Sequence, residues 1–274
     1  MTRAELFAQI QAKESFLCVG IDPDPAKLPE AVKNEPEPVL TFVEKIVEAT
    51  QDLCVAYKPN LAFFEALGPK GFELFHKAVE LIPDTHLTIA DAKRGDIGNT
   101  ARMYAKAFFE QMGCDALTVA PYMGEDSVTP FLEFENKWAV LLALTSNMGS
   151  QDFQQRRMAG GVPLFELVVR QAMEWGTPEQ LMFVVGATQT EYLSHLRNLA
   201  WDYFFLVPGV GTQGGDLETV AKLAMNEHCG LLVNASRSII YASSGADFAE
   251  AARREAQKMQ QEMKTYLEDY LPTA

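Results

Sequence analysis

The chain is 274 residues long, 48% hydrophobic, and carries a formal net charge of −14. That length and apolar content can bury a full core, either in two small domains or in one α/β barrel. The acidic balance argues against nucleic acid as a partner, which needs a basic face to neutralise phosphates, but leaves room for one small phosphate held by backbone N–H groups and an arginine. No linker separates two halves, so a single domain over 1–274 is expected. The beginning of the chain lacks a basic stretch followed by an apolar run, and the longest apolar segment, Trp138 to Leu144, is too short to span a bilayer. The expectation is a cytoplasmic protein with no membrane partner.

In chain order, Phe16 to Gly20 reads as a first strand ending at Asp22-Pro23-Asp24, where proline stops pairing and leaves two carboxylates in a loop. Asp22 is a candidate site residue there, with turn formation as the alternative role. Apolar residues at helical spacing over Pro38 to Thr50 precede a second strand, Cys54 to Tyr57, ended by Lys58-Pro59-Asn60. A lysine at a buried strand end needs a partner unless it snorkels to solvent, and Asp91 on the neighbouring strand is the natural one.

Gly71 to Leu81 reads as a helix, and Leu87, Ile89 and Ala90 read as a third strand covered on both faces. Behind it, Asp91-Ala92-Lys93-Arg94-Gly95-Asp96 packs four charges into six residues before a helical pattern at Thr100 to Phe109. Along an extended backbone Asp91 and Lys93 point the same way, and the turn at Gly95 brings Asp96 back towards them. Solvated loop charges or a helix-capping ion pair are the bland alternatives.

Further strands are read at Ala116 to Val119, Trp138 to Leu144, Leu181 to Val185, Tyr203 to Val207 and Leu231 to Val233. Helices are read at Ser127 to Phe134, Val162 to Trp175, Glu191 to Asn198, Leu217 to Met225 and Asp247 to Leu267. Eight strand and helix pairs in alternation predict an α/β fold, a (β/α)8 TIM barrel, with an open doubly wound sheet as runner-up. The glycine-rich run from Pro208 to Gly215 and the pair Ser236-Arg237 follow the last two strands, where barrels commonly bind phosphate. A polar insertion, Asn147 to Gly161, holds Arg156 and Arg157 without revealing their task. The four cysteines are widely spaced beside apolar residues and read as buried reduced thiols; the four histidines are scattered, and no metal site is expected.

The segment Asp91-x-Lys93-x-x-Asp96-Ile97-Gly98-x-Thr100 resembles the signature of the orotidine 5'-phosphate decarboxylase family, and the resemblance continues through Lys58-Pro59-Asn60, Thr145-Ser146-Asn147, the Pro208 to Gly215 run and Ser236-Arg237-Ser238. The longer bacterial branch of that family fits best. The resemblance implies decarboxylation of orotidine 5'-phosphate to uridine 5'-phosphate without any cofactor. It assigns Lys93 as proton donor, with Asp91, Asp96 and Lys58 completing the catalytic array. It also gives Asp22 a ribose hydroxyl, Ser146 the pyrimidine, and Gln213 and Arg237 the phosphate. Asp96, Ile97 and Thr100 are implied to reach across a two-fold interface into the neighbour's site, making a homodimer with shared active sites. Magnesium-dependent sugar-phosphate decarboxylases and synthases of the same superfamily are one alternative, although they carry an acidic metal ligand where this chain has Lys58. A Schiff-base barrel aldolase is another.

Overall fold

The computed structural model describes residues 1–211 and 214–271. Eight parallel strands close into a barrel in sequence order: β1 (Leu17–Ile21), β2 (Ala56–Pro59), β3 (Leu87–Arg94), β4 (Ala116–Val119), β5 (Trp138–Leu144), β6 (Leu181–Val185), β7 (Phe204–Pro208) and β8 (Leu231–Ala235). The ring closes where Leu17, Cys18 and Val19 of β1 pair with Val233, Asn234 and Ala235 of β8. Their near-continuous apolar runs follow from burial on both faces, by the barrel interior and by the surrounding helices.

The helices are α1 (Arg3–Lys13), α2 (Glu30–Lys33), α3 (Pro38–Thr50), α4 (Leu61–Glu65), α5 (Pro69–Glu80), α6 (Gly98–Lys106), α7 (Thr129–Leu132), α8 (Leu164–Trp175), α9 (Thr190–Leu199), α10 (Leu217–Ala224), α11 (Arg237–Ile240) and α12 (Phe248–Tyr270). Among the described residues, no helix is long and apolar enough to cross a membrane. All four cysteines are free and buried, and burial pushes their thiols up, to about 12 for Cys54, Cys114 and Cys229.

The structure departs from the sequence reading in three places that matter for the site. Strand β2 starts and ends two residues later than expected, so Lys58 lies inside the strand rather than after it. Strand β3 does not stop at Ala90 but runs to Arg94 through an irregularity against β4. The unread helix α1 begins with a capping box: Thr2 Oγ1 accepts from Glu5 N, and Glu5 Oε2 accepts from Thr2 N. It lies across the amino-terminal end of the barrel, where Arg3 donates to the Asp202 carbonyl ahead of β7 and Lys13 to the Cys54 carbonyl ahead of β2. That end is closed, and the opposite, carboxyl-terminal end is left for chemistry.

Candidate active site

Because the strands are parallel, everything that follows a strand's last residue gathers at one mouth. Asp22 follows β1, Lys58 is the penultimate residue of β2, Asp91 and Lys93 lie near the end of β3 before Arg94 closes it, Asp96 is in the next loop, Ser146 follows β5 and Arg237 follows β8. At the centre stands Asp91, buried, with an ammonium on each oxygen: Lys58 Nζ is 2.5 Å from Oδ2 and Lys93 Nζ is 2.5 Å from Oδ1. Lys58 is as buried as Asp91, whereas the Lys93 side chain is 55% exposed and faces the mouth. Burial alone would raise the Asp91 carboxyl, but the two ammoniums and their hydrogen bonds outweigh it and hold the group far below the usual carboxylate range. Burial likewise opposes the Lys58 charge, and Asp91 and Asp22 overcome it, so this lysine titrates above its ordinary value.

How β3 brings Lys93 there is visible in its pairing with β4. Ala90 pairs with Leu117 and Arg94 with Val119, so Asp91, Ala92 and Lys93 together face the single residue Thr118. The bulge takes Lys93 into the left-handed region at φ +47°, costly for a side chain without a β-carbon exemption. Strain of this kind concentrates at sites where the fold over-determines the backbone.

Asp22 accepts from Ser236 Oγ at 2.6 Å through Oδ2, while its buried Oδ1 has no partner among the described residues. Tyr241 steadies this loop by donating to the Asp22 carbonyl and accepting from Asp24 N. Ser146 is brought in by β6: a β-carbon on Gly186 would stand 2.7 Å from Ser146 N and 2.8 Å from its Cα, so only glycine admits that approach. The preceding Thr145 is clamped, its N–H donating to Gln154 Oε1 at 2.8 Å and its carbonyl accepting from Gln189 Nε2 at 2.8 Å.

Two expectations need correction. Asp96 makes no ion pair with Lys93 or any other group among the described residues; its carboxylate accepts from the adjacent Ile97 N at 2.7 Å. The amides of Gly211, Gly214 and Gly215 are used inside their own loop rather than presented outward. In the insertion, Arg156 donates to the Asp152 carbonyl and Arg157 to the Gly161 carbonyl, both local contacts. Gln213 lies outside the described residues. Arg237 is exposed at the start of α11 and makes no ion pair among the described residues. Ile97 and Thr100 are exposed too, on the outward face of the β3 loop and α6.

A family model described as orotidine 5'-phosphate decarboxylase / HUMPS family matches residues 15–254. The chain belongs to this family. Among curated relatives named orotidine 5'-phosphate decarboxylase, that of Porphyromonas gingivalis is 56% identical over 271 residues, covering 97% of this chain and 98% of its own. That of Bacteroides fragilis is 52% identical over 274 residues, covering 99% and 100%. The solved OMP decarboxylase of Leishmania donovani superposes with a TM-score of 0.82 at 32% identity, covering 97% of this chain and all of that one. In this member of the orotidine 5'-phosphate decarboxylase / HUMPS family, sequence reading gave no task to Thr118, Tyr241, Gln154 and Gln189, and named Ser236 only for its place beside Arg237 and not as a partner of Asp22. Those four are ordinary residues whose work appears in three dimensions.

Proposed function

We propose that the protein decarboxylates orotidine 5'-phosphate to uridine 5'-phosphate, the final step in making UMP. The observation that carries this is the Lys58–Asp91–Lys93 array, with a buried lysine where a metal-assisted relative would need a carboxylate. A lysine already paired to Asp91 supplies no metal ligand, which disfavours the magnesium-dependent sugar-phosphate reading. Membership of the family and relatives of that name along nearly the whole chain support the same reaction.

The chemistry is electrostatic. Breaking the bond from C6 to the carboxylate leaves the electron pair in the plane of the pyrimidine ring, where the ring π-system cannot spread it. Lys93 faces that pair with a fixed positive charge and transfers one proton to C6; its amine then regains a proton from water, so one proton is taken up for each CO2 released. Asp91 stands beside the substrate carboxylate and is relieved as CO2 leaves. Two unit charges about 4 Å apart interact by roughly 4 kcal/mol at an effective dielectric near 20, a useful part of the barrier and not the whole. Binding energy from the phosphate is the second source, with Arg237 and Gln213 as its contacts. Asp22, whose Oδ1 awaits a donor, takes a ribose hydroxyl, and Ser146 takes the pyrimidine.

The working unit in this reading is a homodimer. Beside Asp96 and Thr100 the surface exposes Ile97, Met103 and Tyr104, and the loop after β4 exposes Tyr122 and Met123, an apolar rim suited to a second copy. Asp96, Ile97 and Thr100 then complete the neighbour's site. The test is incubation of the protein with orotidine 5'-phosphate in excess chelator, following orotate absorbance and UMP. Equal loss and gain, indifferent to chelator, is expected. No loss, or loss only with added magnesium, contradicts the proposal.

A further inference from the structure

The hydroxyl of Thr118 sits at the one point where β3 departs from regular pairing. It accepts from Ala92 N at 3.0 Å and from Lys93 N at 2.8 Å, and its single proton faces Asp91 Oδ1 at 3.2 Å, with the Ala90 carbonyl at 3.4 Å as the alternative acceptor. Both lone pairs and the proton are therefore engaged, and the residue is 2% exposed. In a regular parallel strand consecutive amides point to opposite neighbours, so only one of Ala92 and Lys93 would face β4; here three residues oppose one, and both amides turn to a side-chain oxygen of β4. The rest of β4, Ala116, Leu117 and Val119, is apolar, so this is its only side chain that can hydrogen-bond.

We propose that Thr118 is a positioning residue for the decarboxylation: its hydroxyl shapes the β3 bulge that aims Lys93 and fixes the plane of the Asp91 carboxylate between the two lysines. Thr118 does not touch substrate in this role. It acts by holding Lys93 backbone at φ +47° while the same oxygen meets Asp91, so the donor's starting point and its carboxylate partner are set by one atom. The inference rests on the decarboxylase reading above.

Its test compares Thr118→Val, which keeps shape and removes the hydroxyl, with Thr118→Ser, which restores it. A misplacement of about 1 Å costs about 10²-fold in rate, so Thr118→Val is expected to lose about that factor in kcat with KM for orotidine 5'-phosphate changed less than about threefold. Thr118→Ser should recover kcat to within about fivefold of wild type. In a Lys93→Ala background Thr118→Val should add almost nothing, since the group it aims is gone. Where Thr118→Val fails to fold, Thr118→Cys provides the same comparison, its thiol being a weak acceptor. A folded variant lacking the hydroxyl with kcat within twofold of wild type, or a Thr118→Ser as damaged as Thr118→Val, overturns the inference. Wild-type protein inert towards orotidine 5'-phosphate would instead sink the function on which it rests, so the two failures are separable.

Discussion

Asp91 is the residue on which the others depend, because its one negative charge stands between two ammoniums that would otherwise repel each other. The two lysines are not equivalent. Lys58 is buried, so removing it breaks a buried pair and leaves Asp91 with Lys93 alone; Lys58→Ala should destabilise the fold by about 3–5 kcal/mol in urea unfolding. Lys93 is more than half exposed, and Lys93→Ala should cost no more than about 1 kcal/mol of stability while turnover falls by at least about 10²–10⁴. The pH dependence follows from the same pair. Asp91 is depressed, so its contribution is present above about pH 4, the unfolded carboxylate value, and is lost as pH falls from there towards the folded value. Lys58 is raised, so its contribution is present below about pH 10.4 and is lost as pH rises through its folded value. The difference in urea midpoint between wild type and Asp91→Asn should be flat between these limits and shrink below pH 4.

At the scale of elements, the strands do the positioning and the sequence revealed most of them. Apolar runs ahead of Asp22, Lys58 and Asp91 located β1, β2 and β3, although β2 runs on to Pro59 and β3 to Arg94, and the cost of burying a lone lysine was enough to pair Lys58 with Asp91. The bulge was not legible, because Thr118 in an apolar run reads as an ordinary β-former. Helix α1 was legible through Thr2 and Glu5, a capping box, yet its apolar residues are too sparse to draw attention: only Leu6 and Ile10 are fully buried. Gly186 gave no sign of its task. Gly186→Ala would drive a β-carbon into the Ser146 backbone, and, with Ser146 proposed to meet the substrate base, a rise in KM of about tenfold is expected with less change in kcat.

Far from the mouth, Arg197 of α9 binds the loops around β7 and β8 and makes no ion pair with a carboxylate among the described residues. Its buried guanidinium donates to the carbonyls of Ala224, Ala200, Trp201, Tyr203 and Gly230 and lies 3.9 Å from the Phe205 ring centroid. Arg197→Met should lower stability by about 3 kcal/mol or more in the same unfolding assay, since several carbonyls are left unsatisfied, with kcat of the folded fraction unchanged.

For the molecule as a whole, the closed barrel gathers the first-, second-, third-, fifth- and eighth-strand groups at one mouth, while Ile97 and Thr100 are exposed and Asp96 makes no ion pair with Lys93 among the described residues. No feature of one chain's sequence separates a residue that serves its own subunit from one that serves a neighbour; both read as charges in a loop. If the site is shared, Lys93→Ala and Asp96→Asn subunits refolded together form hybrid dimers with one doubly damaged site and one intact site. Random exchange in equal amounts makes half the dimers hybrid, so activity should return to roughly one quarter of wild type per site. No return, with hybrids verified by mass spectrometry, would assign Asp96 to its own subunit.

In the proposed reaction Lys93 delivers the proton that replaces CO2 at C6. Turnover of orotidine 5'-phosphate in D2O, read by proton NMR of the product, tests it most directly, because the ammonium of Lys93 exchanges its protons for deuterons before reaction. Wild type should yield uridine 5'-phosphate with a single deuterium at C6, and Lys93→Ala, folded and still binding nucleotide, should yield essentially none. A Lys93→Ala protein forming the same deuterated product within tenfold of the wild-type rate would contradict the account.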